Sequence, residues 1–305
     1  MLKQICHICK RTIKKLYALG EKMIKKLHTI CALIFLSSTM YPTHHFNVMT
    51  PENSGINSVV FDVGDVLVET SSKAKAWVLT PTLCLSPKAL WAAIAYQFKI
   101  KQELYNALHE VPADTHPDMA IYNQNQRMPQ VMVDWMLARE SKPIGQRAIA
   151  HMQESDRSNG MKAILERTMN FIFDPEELVS SQVKVEPMHK LVHALKEKGY
   201  KLYVLSNFSA DAFELLEQKY PETFQAFDGA VVSGREGQVK PDPSIYNTLI
   251  ERHGLTVDKS IFIDDEPHNI DAAQKLGFHA VLKDSNESVC KRLQELGVLQ
   301  EKANS

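Results

Sequence analysis

Three things are scarce in this chain of 305 residues, and each scarcity excludes something. Long apolar runs are missing: TICALIFLSSTMY (29–41) is about a dozen residues long, where a membrane-spanning helix needs ~20. Cysteine is sparse, with Cys6, Cys9, Cys31, Cys84 and Cys290 scattered along the chain. Cys6-His7-Ile8-Cys9 has the spacing of half a zinc knuckle, but no second pair follows, so a zinc module is not expected. The two cysteines of the body, Cys84 and Cys290, say little about redox compartment. Basic charge is scarce outside the N-terminus. Residues 1–28 hold eight Lys and Arg against Glu21 alone, so a chain of net charge −1 has a body at about −8. An acidic body argues against nucleic-acid binding, which needs basic surface on the folded part. Internal repeats and low-complexity tracts are also absent.

What is present begins with that basic leader, which runs directly into the apolar stretch. Positive then apolar is the order of an export signal or a membrane anchor. The expectation is a protein exported or membrane-associated, with membrane contact through residues 1–41, and cytoplasmic if the leader is only a surface helix. YPTHHFNVMTPENSGIN (41–57) reads as a polar linker.

After the linker, SVVFD (58–62), YKLYVL (200–205), DGAVVS (228–233), SIFID (260–264) and FHAVL (278–282) are short, continuous apolar runs. Strands buried on both faces have this composition. Helical patterns lie between them: 187–199 with Gly199 as its stop, 209–220 with Ser209 as N-cap, 243–254 and 269–277. Such alternation predicts an α/β fold, a doubly wound, Rossmann-like parallel sheet. The ~115 residues after the first strand break the rhythm, being helical in pattern and too long for a loop. They predict an inserted α-helical cap, with Trp91, Trp135 and Met136 in its core. The expected division is a leader and linker over 1–54, an α/β core from 55–70 and 187–290, a helical cap over 71–186, and a tail over 291–305.

Ligands of open parallel sheets bind beyond the carboxyl ends of the strands, and four strand ends here carry polar groups. The first ends in Asp62-Val63-Gly64-Asp65, the second in Ser206-Asn207, and the fourth in Asp264-Asp265; Lys240 follows the third. Asp62 and Asp265 with a backbone carbonyl are the hard oxygen ligands that Mg²⁺ takes. Lys240 and the Ser206 hydroxyl suit phosphate oxygens, and Asp62 could attack phosphorus in line.

This set resembles the haloacid dehalogenase superfamily over roughly residues 58–285. VVFDVGDVL is similar to its first motif, VLSN to its second, VKPDPSIY to its third and FIDDEPHNIDAAQKLG to its fourth. The insertion sits where the family's C1-type cap sits, and the FDxGxVL pattern is similar to that of small-molecule phosphatases, some acting on sugar phosphates. The resemblance implies Asp62 as nucleophile and metal ligand, the Gly64 carbonyl and Asp265 as metal ligands, and Asp264 as their neighbour in the metal site. It implies Ser206, Asn207 and Lys240 at the phosphate, Lys240 also acting in catalysis, and Asn269 as a brace for the acidic loop or a helix cap. The implied activity is Mg²⁺-dependent hydrolysis of a small phosphorylated metabolite through an aspartyl-phosphate. One position departs from the pattern. Where most phosphatases of the family carry a general acid, two residues after the nucleophile, stands Gly64, and Asp65 comes one place later. Two alternatives therefore stay open: a catalytically weak binding or regulatory protein, and a haloacid dehalogenase, against which the Asp264-Asp265 pair argues.

Overall fold

The computed structural model describes residues 46–71, 100–114, 121–123 and 126–300. The leader with Cys6, Cys9 and Cys31, as well as Cys84 and Trp91, lies outside the described residues. Its strands are β1 (Ser58–Phe61), β2 (Val68–Thr70), β3 (Tyr122–Asn123), β4 (Gln126–Arg127), β5 (Gln182–Lys184), β6 (Lys201–Ser206), β7 (Gly229–Val232), β8 (Ser260–Asp264) and β9 (His279–Leu282). A helical stretch at 100–110 precedes α1 (Gln130–Leu137), α2 (Ser141–Gln153), α3 (Asn159–Phe173) and α4 (Pro175–Ser181). Then follow α5 (Glu186–Glu197), α6 (Ala210–Lys219), α7 (Ser233–Glu236), α8 (Pro243–His253), α9 (Pro267–Lys275) and α10 (Asn286–Glu295).

The five apolar runs are the strands of one parallel sheet in the order β7-β6-β1-β8-β9. Every residue of β1 and β8 is buried, and alternate side chains enter opposite layers. Val59, Phe61, Leu202, Val204 and Ile263 meet Leu191 and Leu195 of α5 and Phe213 of α6. Val60, Tyr203, Leu205 and Phe262 meet Ile245 and Leu249 of α8 and Ala273 of α9. Helices thus cover both faces, which is why these strands are apolar throughout. Among the described residues no helix is long and apolar enough to cross a membrane.

Both ends of the expected core move outward. The stretch 291–305 is not a tail as far as residue 300: α10 continues to Glu295, and Leu293, Val298 and Leu299 are buried. Met49 N donates to Val298 O at 2.9 Å and Gln300 N to Asn47 O at 3.0 Å, so the same pairing takes residues from 47 onward out of the linker. A few apolar side chains per segment are too few to mark an element in the sequence, but they suffice when the two segments cover each other.

The described part of the insertion is helical, with two additions. β2 pairs antiparallel with β5 where the insertion leaves and rejoins the core, and β3 with β4 forms a small hairpin. Nor does the insertion stand apart. Ala210 N donates to Ala138 O at 3.0 Å and Asp211 N to Arg139 O at 3.2 Å, joining the α1–α2 junction to the first turn of α6. Ser141 donates from its backbone N and its Oγ to the Asp211 carboxylate, both at 2.7 Å. Ser233 Oγ donates to Met136 O at 2.6 Å. Ser209 occupies the N-cap position of α6, as expected, but its hydroxyl pairs with Ser141 Oγ at 2.8 Å and makes no cap bond. Gly234 lets these backbones meet, since a Cβ there would collide with Ala210 N and Ala138 O.

Candidate active site

Parallel pairing of β1 with β6 and β8 brings three chain segments to one edge. Asp62 follows β1, its N–H continuing the ladder to Ile263 O at 2.9 Å. Ser206 ends β6 and Asp264 ends β8. Lys240 arrives from the loop before α8, which starts where Asp242 Oδ1 accepts from Ser244 N at 2.8 Å.

Lys240 is the hub, and it is almost fully buried. Its Nζ donates to Asp62 Oδ1 at 2.8 Å, Asp264 Oδ2 at 2.7 Å and Leu205 O at 2.9 Å. An ammonium has three hydrogens, and all are committed to the protein. Lys240, expected to orient both the phosphate and the nucleophile, binds Asp62 and Asp264 together. Burial drives its pKa down, but the adjacent Asp264 and Asp62 outweigh that and hold it above the ordinary lysine value.

Asp264 is held from several sides: besides Lys240, it accepts from Glu266 N at 2.8 Å and from Asn269 Nδ2 at 3.0 and 3.1 Å. Asn269 is therefore the brace it was expected to be. The Asp62, Asp264 and Asp265 carboxylates each offer an oxygen within 4.8 Å of the others. Three carboxylates against one ammonium is an uncompensated arrangement. Burial raises the Asp265 pKa to about 8, with the Asp62 and Asp264 charges adding to it. Asp62 rises to about 6, chiefly from burial, with Lys240 opposing and Asp264 adding.

Asn207 was expected to help hold phosphate. Its amide clasps the backbone of Lys240, with Lys240 N donating to Oδ1 at 2.8 Å and Nδ2 donating to Lys240 O at 2.9 Å. Gly64, Asp65 and Ser206 line the same open cavity of about 180 Å³ as Asp62 and Asp265. Asp65 is the one non-glycine described residue with positive φ, at 49°, and Lys283 Nζ donates to its carbonyl at 2.5 Å. Trp135 belongs to the main apolar cluster, as expected, yet with Met136 it also faces this cavity. Ile121, Met128, Phe208 and Glu266 complete the lining and were not anticipated. Phe208 could have been found, being next to Ser206-Asn207, whereas Ile121 and Met128 carry no signal of their own.

A parallel sheet with a carboxylate–ammonium cluster at its strand ends defines a class, α/β enzymes whose chemistry runs on buried aspartates. Within it, the chain belongs to the haloacid dehalogenase-like hydrolases, whose family profile matches residues 56–277. Over 109 residues it is 30% identical to the sesquiterpene phosphatase astK of Aspergillus oryzae, a match covering 36% of this chain and 55% of that protein. It is 29% identical over 113 residues to the bifunctional epoxide hydrolase 2 of Mus musculus, covering 36% of this chain and 20% of that one. A phosphoglycolate phosphatase of Aliivibrio fischeri is 31% identical over 87 residues, 28% of this chain and 37% of that one. The chain thus spans about half the length of the first of these relatives and less of the others. The fold is shared with a haloacid dehalogenase-like hydrolase from Porphyromonas gingivalis at a TM-score of 0.50 and 18% identity, covering 81% of this chain and 99% of that one.

Proposed function

We propose that the protein is a Mg²⁺-dependent phosphatase acting on a small phosphorylated metabolite through an aspartyl-phosphate. The observation that carries this reading is the charge balance: three clustered carboxylates face one fully engaged ammonium, and two of them have strongly raised pKa values. That donor set of hard oxygens, two charges short of neutral, fits a divalent cation of the Mg²⁺ type. Asp62, Asp265 and the Gly64 carbonyl would hold it, with Asp264 beside them; when bound it keeps the carboxylates ionised and offsets phosphate charge. The phosphatase names of two relatives support the same substrate chemistry.

The chain's own residues divide the work. Lys240 engages Asp62 Oδ1 and so leaves Oδ2 as the attacking atom. As the Oδ2–phosphorus bond forms, the bond from phosphorus to the ester oxygen breaks and the leaving alkoxide takes a proton from solvent water. A second water then attacks the same phosphorus and yields its proton to solvent, the Oδ2–phosphorus bond breaks, and Asp62 returns as carboxylate with inorganic phosphate released. Asn207 and Asn269 hold Lys240 and Asp264 in place.

The test is phosphate release from a generic aryl phosphate with and without Mg²⁺. Release that needs the metal and disappears in Asp62→Asn is expected. A folded protein inactive across a broad phosphate panel would favour the binding-protein alternative, and halide release without metal the dehalogenase.

A further inference from the structure

The cavity over Asp62 has two chemically opposite halves. Its floor is the polar cluster, and its roof is Ile121, Met128, Trp135, Met136 and Phe208. The one nitrogen among those five side chains is spent, because Trp135 Nε1 donates to Ser141 Oγ at 3.1 Å. The Trp135 ring, with Phe208 5.6 Å away between centroids, presents carbon to the cavity. Among the described residues lining it, Lys240 is the one cationic side chain, and its hydrogens are committed. The two amides are each engaged with the protein, Asn207 on the Lys240 backbone and Asn269 on Asp264. Asp65 and Glu266, also on the lining, would repel a second anionic group. Against those five side chains a sugar hydroxyl or a carboxylate would leave water and meet carbon in exchange, whereas an alkyl or aryl group would lose nothing.

We propose that the organic half of the substrate is apolar: the site takes the phosphate monoester of an aliphatic or aromatic alcohol, with its first carbons against Trp135 and Met136. This rests on the phosphatase reading and narrows it. The open cavity measures about 180 Å³. Phosphate and a few carbons fill it, so a longer chain protrudes.

The experiment uses the full chain with Mg²⁺ and n-alkyl phosphates from methyl to octyl, phenyl phosphate, glucose 6-phosphate and 2-phosphoglycolate. The expected kcat/KM rises about threefold to fourfold per methylene over the first members, then levels off. Both polar esters should fall at least about tenfold below butyl phosphate, the same rule applied over several methylenes. Met136→Gln should flatten the series; if that variant does not fold, the unmodified protein's series decides alone. A readout without turnover is calorimetric titration of Asp62→Asn with butylphosphonate and with phosphonoacetate, of which butylphosphonate should bind more tightly. A flat or falling series with the polar esters preferred, or tighter binding of phosphonoacetate, overturns the apolar assignment and leaves the phosphatase reading standing. Release of phosphate from no ester at all removes that reading, and this one with it.

Discussion

Asp62, Lys240 and Asp265 were legible only as a set, because a lone aspartate at a strand end is commonly a cap or turn residue and a lone lysine a surface one, whereas together at the strand ends they have one chemistry in common. Their bonding was not legible. That Lys240 spends all its hydrogens on Asp62, Asp264 and Leu205 depends on three segments far apart in sequence. The acid position is where residue-scale chemistry is most open to test. A Cβ on Gly64 meets no atom within 4 Å and its φ lies outside the left-handed region, so Gly64→Asp should fold without strain. Asp65 adopts φ 49°, which aspartate tolerates better than most residues. If the acid is missing, Gly64→Asp raises kcat on alkyl phosphates by ~10²-fold or more and barely changes it for p-nitrophenyl phosphate, whose leaving group needs no proton. That is the expected result in steady-state kinetics. No gain on alkyl phosphates would mean that Asp65 already delivers the proton, and Asp65→Asn would then slow the poorest leaving groups most.

At the scale of elements, the sheet was readable because its strands are buried on both faces and so carry unbroken apolar runs. β2 and β5 were not readable: three residues each, Val-Glu-Thr against Gln-Val-Lys, they have neither the length nor the composition of a core strand. The joint between α1–α2 and α6–α7 was equally hidden, since backbone N–H and C=O groups leave no trace in a sequence. It makes a sharp prediction. Gly234→Ala places a methyl group among the Ala210 and Ala138 backbones and must push them apart. The expected loss is about 1–3 kcal/mol of stability, read as a lower Tm, with a larger fractional loss of activity because Trp135 and Met136 shift with the joint. An unchanged Tm would mean that the joint gives way freely.

For the molecule as a whole, the acidic cluster links stability to pH. Asp265 has its folded pKa raised to about 8, against about 3.9 unfolded. Its stabilising contribution is therefore complete below about pH 4 and is lost as pH rises toward 8. A cation that holds the carboxylates ionised cancels that loss, so Mg²⁺ should raise Tm more at pH 8 than at pH 5. Equal shifts in scanning calorimetry would contradict the assignment. Residues 47–49 pair with 298–300, so the described part of the folded unit reaches beyond the expected core at both ends. Ending the chain after Cys290 removes buried Leu293, Val298 and Leu299. At ~1.5–3 kcal/mol per apolar side chain, that is comparable to the ~5–15 kcal/mol of a typical fold, so loss of cooperative unfolding is expected. A Tm equal to that of the full chain would show that the pairing is incidental. The joint beneath the roof has a kinetic meaning as well. Bonds through Met136, Ala138, Arg139 and Ser141 hold that side of the cavity to the body. While those bonds are kept, the described part of that wall holds its shape as a substrate arrives. Discrimination between alcohols should accordingly be felt on arrival, in KM, while kcat follows the leaving group alone.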